Sequence, residues 1–376
     1  MADRIRLGMV GGGNDAFIGA VHRIASRIDD QYELVAGALS STPEKSRASG
    51  EALGLPRIYD DFKKMAAREA RRKDGIEAVS IVTPNHVHFA AAREFLKRGI
   101  HVICDKPLTS TLQDARKMVK AVQESEALFV LTHNYTGYPM VRQAREMVAN
   151  GEIGAVRVVQ VEYPQDWLTI EQDFKQAAWR TDPAQSGAGG STGDIGTHAY
   201  NLACFVTGLT ATELAADLAA FVPGRRVDDN AHVLLRFDSG AKGMLWASQV
   251  APGNENGLRL RVYGETGGVE WAQEDPNYLW YTPFGEPKRL ITRGGAGAGE
   301  AAGRVSRVPP GHPEGYLEGF ANIYSEAAAA IRAHRDGSPV PEGVIYPTVE
   351  DGLAGVVFVD ACVRSSARNA AWIKLV

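Results

Sequence analysis

The start of the chain restricts its fold more than any other segment. Ile5-Arg6-Leu7-Gly8-Met9-Val10 is short and apolar and runs directly into Gly11-Gly12-Gly13, after which a helical pattern covers about residues 15–28. A buried strand, a glycine turn and a helix make the first half of a βαβ unit. The pattern repeats, with strands expected at residues 32–39, 78–83, 101–104 and 128–132. Between them, one helix opens on Thr42-Pro43-Glu44, an N-cap, a first-position proline and a first-turn acid, and Gly54 can end it. Another begins near His88 with Phe89, Ala92 and Leu96 on one face. A third begins at Ser110-Thr111-Leu112-Gln113, a capping-box pattern, and continues with Ala115, Val119 and Val122 at helical spacing. Strands alternating with helices predict a parallel sheet covered on both faces, an α/β domain over residues 1–134.

The organisation changes after residue 135. A helix is expected over 138–149, stopped by Asn150-Gly151. Strand-like pieces then follow at 155–163, 231–237, 243–248, 258–263 and 269–271, joined by turns such as Asp238-Ser239-Gly240 and Gly264-Glu265-Thr266-Gly267. Short connections predict an antiparallel sheet in a second domain, 135–376. The Gly/Ala-rich stretch 294–303 reads as a mobile surface loop, and a late helix over about 318–334 is expected to pack back on one of the domains.

Composition excludes several classes of function. The 376 residues suit two domains. Lys+Arg 41 against Asp+Glu 45 gives a net charge of −4, with no cationic excess for a nucleic-acid backbone. No run of about 18 apolar residues is present to span a membrane, and the N-terminus lacks the apolar core of a secretory signal. Three cysteines, Cys104, Cys204 and Cys362, form no CxxC pair, which argues against a disulfide framework or structural zinc and points to a reducing cytoplasm.

Gly11-Gly12-Gly13-Asn14-Asp15-Ala16 fits G-x-G-x-x-A after a strand and before a helix, where glycines let the backbone approach a pyrophosphate at a helix N-terminus. Gly11, Gly13, Asn14, Ala16, Phe17 and Ile18 are the expected cofactor contacts there. An acid usually ends the second strand to hold the ribose; here Leu39-Ser40-Ser41 stands in its place. Ser40 and Ser41 could bond a ribose, and Lys45 or Arg47 could meet a 2′-phosphate. NAD is favoured over NADP because no arginine directly follows the strand. Thr83-Pro84-Asn85, with His88 beyond it, and Asp105-Lys106-Pro107 follow the next strands, where ligands of open α/β sheets sit.

In the second half, Gly193-Asp194-Ile195-Gly196-Thr197-His198 precedes an apolar helical run. Asp194 and His198 are four apart, so on a helix they share a face, a carboxylate beside an imidazole suited to proton transfer. His133, Tyr135, Tyr163, Gln165, Trp167, Trp179 and Arg180 offer aromatic faces and polar edges of the kind that suit a polyhydroxylated ring. His86-Val87-His88 lacks further ligands for a metal, Cys104 reads as a small core residue, and His312-Pro313-Glu314-Gly315-Tyr316 could border a site or start a helix.

Taken in order, Gly11-Gly12-Gly13, Thr83-Pro84-Asn85, Asp105-Lys106-Pro107 and the segment from Gly193 to His198 resemble the glucose–fructose oxidoreductase / inositol dehydrogenase (Gfo/Idh/MocA) family over nearly the whole chain. The family usually has Glu-Lys-Pro where this chain has Asp105-Lys106-Pro107. Thr132-His133-Asn134-Tyr135 and Gln165-Asp166-Trp167 resemble a branch similar to levoglucosan dehydrogenase. The resemblance implies a Rossmann domain, then an α/β domain whose large open, mostly antiparallel sheet makes a dimer or tetramer interface. It also implies that Lys106, Asp194 and His198 are catalytic, in NAD(P)-dependent oxidation of a sugar, anhydrosugar, glycoside or cyclitol hydroxyl. Two alternatives stand beside that reading: a glycosidase acting by transient oxidation, elimination and re-reduction, and a non-catalytic dinucleotide sensor.

Overall fold

The computed structural model describes residues 3–14, 16–173 and 175–375. The expected helix start at Asp15 lies outside them. The chain divides into two compact units: residues 1–137 with 316–353, and residues 138–315 with 354–376.

The first unit is built on six parallel strands: β1 (Ile5–Gly11), β2 (Tyr32–Ala38), β3 (Arg57–Ile58), β4 (Ala78–Val82), β5 (His101–Cys104) and β6 (Phe129–Leu131). Their order is β3-β2-β1-β4-β5-β6. The order reverses between β1 and β4, which opens a crevice beyond their carboxyl ends. All residues of β4 and β5 are buried, as expected for strands covered on both faces. Helix Leu112–Gln123 starts where its capping pattern predicts, with Thr111 Oγ1 accepting from Asp114 N at 3.2 Å. Helix Pro43–Ala52 also begins after Thr42, although that side chain makes no capping bond.

A single cut at 134/135 does not describe the units. Helix Tyr316–Arg335 belongs to the first one, because Phe320, Ile323, Tyr324, Ala327, Ala328 and Ile331 join Ile5, Leu7, Val21 and Ala25 in one buried core. Its alanines let the helix lie close to helix Phe17–Ile28. Two further backbones meet at the end of β1. Gly12 has φ +73°, and a Cβ on Gly19 would lie 2.4 Å from Gly12 Cα, so strand end and helix can touch only without side chains.

The second unit carries nine strands: β7 (Val156–Pro164), β8 (Ala211–Ala219), β9 (Asn230–Phe237), β10 (Lys242–Ser248), β11 (Arg259–Gly264), β12 (Gly267–Ala272), β13 (Tyr278–Pro283), β14 (Arg289–Thr292) and β15 (Ile373–Lys374). The order is β14-β13-β12-β11-β7-β10-β9-β8-β15, antiparallel except for the β7–β10 pair. Helix Thr197–Thr207 packs on β7, β10 and β11. The register sets Leu234, Met244, Gln160, Arg261, Glu270 and Trp280 in one cross-strand row, with Leu234, Met244 and Trp280 exposed. Stretch 294–303 is anchored rather than loose. Gly299 N donates to Gln143 Oε1 at 2.6 Å, Ala301 N donates to Glu146 Oε1, and Glu300–Gly303 is a helical turn with Ala302 buried.

Two predictions follow from the first unit. Gly19→Ala forces a methyl against Gly12 backbone and should cost about 1–3 kcal/mol of stability in urea unfolding, as overpacking does, while weakening NAD binding in a fluorescence titration. His101 is buried at the start of β5, its Nδ1 accepting from Leu128 N and its ring edge-on to His334. Burial, and then His334, depress its pKa to about 4. The unfolded ring takes up its proton near 6.5, so His101 contributes stability that is full above that pH and falls away as pH drops towards 4. Urea midpoints measured between pH 7 and 4 should fall less steeply for His101→Gln than for the wild type.

Candidate active site

In the first unit the glycine loop is shaped for an anion. Gly11 has φ +80°, and a Cβ there would lie 2.7 Å from Val82 O. Among the described residues, helix Phe17–Ile28 has no side-chain cap and no acid in its first turn, which suits its leading N–H groups to a ligand. The close approach of the helix to the strand end falls on Gly19, and Ala16 is the N-cap residue. Asn14 N donates to Ser49 Oγ at 3.2 Å, Phe17 is 66% exposed, and Ile18 is half-buried. Beyond β2, Ser40 Oγ accepts from Thr42 N, while Ser41, Lys45 and Arg47 are exposed.

Beyond β4, Pro84 is exposed and Asn85 buried, and the buried Thr83 hydroxyl has no hydrogen-bond partner. An orphaned hydroxyl at the edge of the crevice fits a polar ligand. His88 departs from the expectation of a cofactor contact. It is 0% exposed, and its Nδ1 and Nε2 each lie 2.9 Å from a carbonyl, Pro107 O and Thr83 O. It staples the two loops together from behind. Beyond β5, Asp105 Oδ1 accepts from Thr132 Oγ1 at 3.0 Å, and Lys106 is half-buried. His133 and Tyr135 are buried. Burial first, and then the Lys106 ammonium, hold the His133 pKa down to about 3, so the ring is neutral in the working pH range. The donor set fits a dinucleotide: a glycine-lined helix N-terminus, hydroxyls at the second strand and an unpartnered hydroxyl beyond the fourth.

In the second unit, Asp194 lies in a π-helical turn, Thr192–Gly196, that leads into helix Thr197–Thr207. The four-residue spacing from Asp194 to His198 thus spans a π-helical turn and the start of an α-helix rather than one regular α-helix. Asp228, missed from the sequence, sets this turn. Its carboxylate accepts from Gly190 N, Ser191 Oγ, Thr192 N and Thr192 Oγ1 at 2.7–2.8 Å. Asp194 Oδ2 accepts from Arg180 Nε at 3.2 Å and Gln249 Nε2 at 3.0 Å. The Arg180 guanidinium stacks 4.3 Å from the Trp179 ring and lies 6.0 Å from that of Trp167. Trp167 Nε1 donates to Gln165 Oε1 at 3.0 Å, while Gln165 Nε2 and Tyr163 OH both donate to Asn256 Oδ1 at 2.8 Å. His198 is buried, its ring 6.3 Å from that of Tyr163. The seven expected residues of this unit thus form one polar–aromatic cluster, with Gln249 and Asn256 added. Neither glutamine nor asparagine stands out in a sequence, because only the sheet brings them in.

Glu314 does not border this cluster. It is buried 3.0 Å from Arg293 Nη1 and accepts from Arg307 N and Val308 N. Among the described residues no group of three or more His, Cys, Asp or Glu is placed to hold a metal ion. Nor, among the described residues, is any helix long and apolar enough to cross a membrane.

Residues 5–133 match the oxidoreductase family with an NAD-binding Rossmann fold, and residues 141–270 match the GFO/IDH/MocA C-terminal domain. The crystal structure of an oxidoreductase from Sinorhizobium meliloti is 72% identical, with a TM-score of 0.92, covering 99% of this chain and 100% of that one. An inositol dehydrogenase homolog from Azotobacter vinelandii, complexed with NADH and myo-inositol, is 35% identical, with a TM-score of 0.93, covering 100% and 98%. Levoglucosan dehydrogenase of Pseudarthrobacter phenanthrenivorans is 26% identical over 98% of this chain and 96% of its own length. The chain therefore belongs to the Gfo/Idh/MocA family of oxidoreductases, with an NAD-binding Rossmann domain followed by that family's C-terminal domain.

Proposed function

We propose that this oxidoreductase converts a secondary ring hydroxyl of a cyclitol, sugar, anhydrosugar or glycoside to a ketone, with Lys106, Asp194 and His198 as its catalytic groups. The observation that carries the reading is the cluster around Asp194 and His198. Trp167 and Trp179 offer aromatic faces suited to the C–H faces of a ring, one face of Trp179 already covered by Arg180, while Arg180, Gln165, Gln249 and Asn256 offer donors and acceptors for its hydroxyl edges. The inositol dehydrogenase homolog with NADH and myo-inositol supports a cyclitol among these substrates.

In this reading His198 takes the hydroxyl proton, and Lys106 donates a hydrogen bond to the oxygen as charge develops on it. Asp194, fixed by Arg180 and Gln249, supplies the negative charge that favours the imidazolium. Bound NAD supplies the hydride acceptor. The glycine loop and helix N-terminus would hold its pyrophosphate, Ser40 and Ser41 its ribose, and Thr83 and Asn85 would border the nicotinamide. The exposed Leu234, Met244 and Trp280 suit coverage by a second copy of the chain, in a dimer or tetramer. A reducing cytoplasm suits the three free cysteines.

Lys106→Ala and His198→Ala should each slow single-turnover NADH formation by about 10²–10⁴-fold, the usual weight of acid–base participation, with NAD affinity in a fluorescence titration nearly unchanged. Near wild-type hydride transfer in both would reject the assignment. A panel of inositols, sugars, anhydrosugars and glycosides, followed at 340 nm with product analysis, separates the alternatives. Net NADH with a keto product is expected. Sugar release without net NADH would establish the glycosidase, and binding of NAD with neither outcome the sensor.

A further inference from the structure

Behind Lys106 lies a buried polar cluster that the proposed chemistry does not use. It joins His22 on helix Phe17–Ile28, Ser80 in the middle of β4, Tyr324 on helix Tyr316–Arg335, and Asp105, the residue before Lys106. His22, Ser80 and Tyr324 are buried. His22 Nδ1 lies 2.8 Å from Tyr324 OH and 3.2 Å from Ser80 Oγ, and the two hydroxyl oxygens are 2.8 Å apart. His22 Nε2 faces Asp105 Oδ1 at 3.6 Å. Tyr32 OH donates to Tyr324 O at 2.8 Å and fixes the helix at that residue.

The donors and acceptors settle in one order. An ionised carboxylate only accepts, so the ring nitrogen facing Asp105 carries the hydrogen. Nδ1 is then an acceptor, and Tyr324 OH is its nearest donor. Ser80 in turn donates to the Tyr324 oxygen. The run Ser80 to Tyr324 to His22 to Asp105 uses each hydroxyl hydrogen once and ends on the carboxylate that Thr132 also holds. Its last link, at 3.6 Å, is an electrostatic contact rather than a full hydrogen bond. Burial pushes the Asp105 carboxyl up, but His22, Lys106 and His88 together outweigh it and keep it below the ordinary carboxylate range.

We propose that His22, Ser80 and Tyr324 are positioning residues for Lys106: by holding Asp105 they fix the turn from which the ammonium projects, so a helix about 200 residues further along the chain governs the reach of a catalytic group it never touches. The inference rests on the role given above to Lys106.

Tyr324→Phe removes a single oxygen and tests it in the full chain. In ligand-free protein, ¹⁵N-histidine NMR should show His22 as the Nε2–H tautomer, and Tyr324→Phe should keep that tautomer, which Asp105 dictates, while shifting the Nδ1 resonance as its nearest donor is lost. With the polyol that yields NADH in the panel, single-turnover hydride transfer should slow about ten- to a hundredfold, the scale of a small misplacement of a reacting group, while NAD affinity is unchanged. The double variant Tyr324→Phe/Asp105→Asn should be no slower than Asp105→Asn alone, since both act on one element. Multiplied losses in the double variant, wild-type turnover in Tyr324→Phe, or a dominant Nδ1–H tautomer in the wild type would each overturn the proposal. Ser80→Ala, at the far end of the run, provides the same measurements if Tyr324→Phe does not fold. Full turnover in Lys106→Ala would remove the functional reading instead, and the tautomer would still report the hydrogen-bond order.

Discussion

The contact between Gly12 and Gly19 is the constraint from which the first unit's chemistry follows. Two backbones meet where a single methyl would overlap Gly12 Cα, and the uncapped start of helix Phe17–Ile28 is thereby brought to the end of β1. Gly19, His22 and Arg23 lie on one face of that helix at spacings of three and four. Arg23 donates to Gly12 O, and His22 faces Asp105. One close approach thus sets the anion site, closes the loop from behind and aims the histidine at the turn that carries Lys106.

The second unit uses a similar device with different residues. Gly190 has no room for a side chain, since a Cβ would lie 2.0 Å from Asp228 O. The Asp228 carboxylate gathers four donors from residues 190–192. Asp194 and His198 emerge from the turn it fixes. In both units an acid and a glycine fix the turn that carries a proposed catalytic side chain. A π-helical turn at this place is of the sort often found at functional sites.

Much of this architecture was readable because local signals agreed with the final fold. The strands β1, β2, β4 and β5 are apolar runs bounded by turns, and the capping residue Thr111 marks its helix correctly. What the sequence leaves out or misplaces has specific causes. Strand β8, Ala-Thr-Glu-Leu-Ala-Ala-Asp-Leu-Ala, lies in a stretch to which the sequence reading assigns no element: it has the composition of a helix and becomes a strand through its pairing with β9. Gly19 lies outside the G-x-G-x-x-A spacing, so the motif does not point to it. His88 sits beside a ligand loop in sequence but turns inward to bridge two carbonyls. Gln249 and Asn256 reach the cluster only through sheet register, which no spacing rule along the chain encodes. The seven residues of the second unit stand out as aromatic and polar types suited to a ring, and the fold brings them into one cluster.

The membership of helix Tyr316–Arg335 in the first unit has a consequence for how this protein is made. Its Phe320, Ile323 and Tyr324 complete a core begun by Ile5 and Leu7 more than three hundred positions earlier. A ribosome delivers the glycine loop early, yet the nucleotide-binding half cannot seal its interior until almost the whole polypeptide has emerged. The two halves must therefore mature nearly together, and a nascent chain halted before this helix leaves a greasy flank of the parallel sheet open to chaperones or to aggregation.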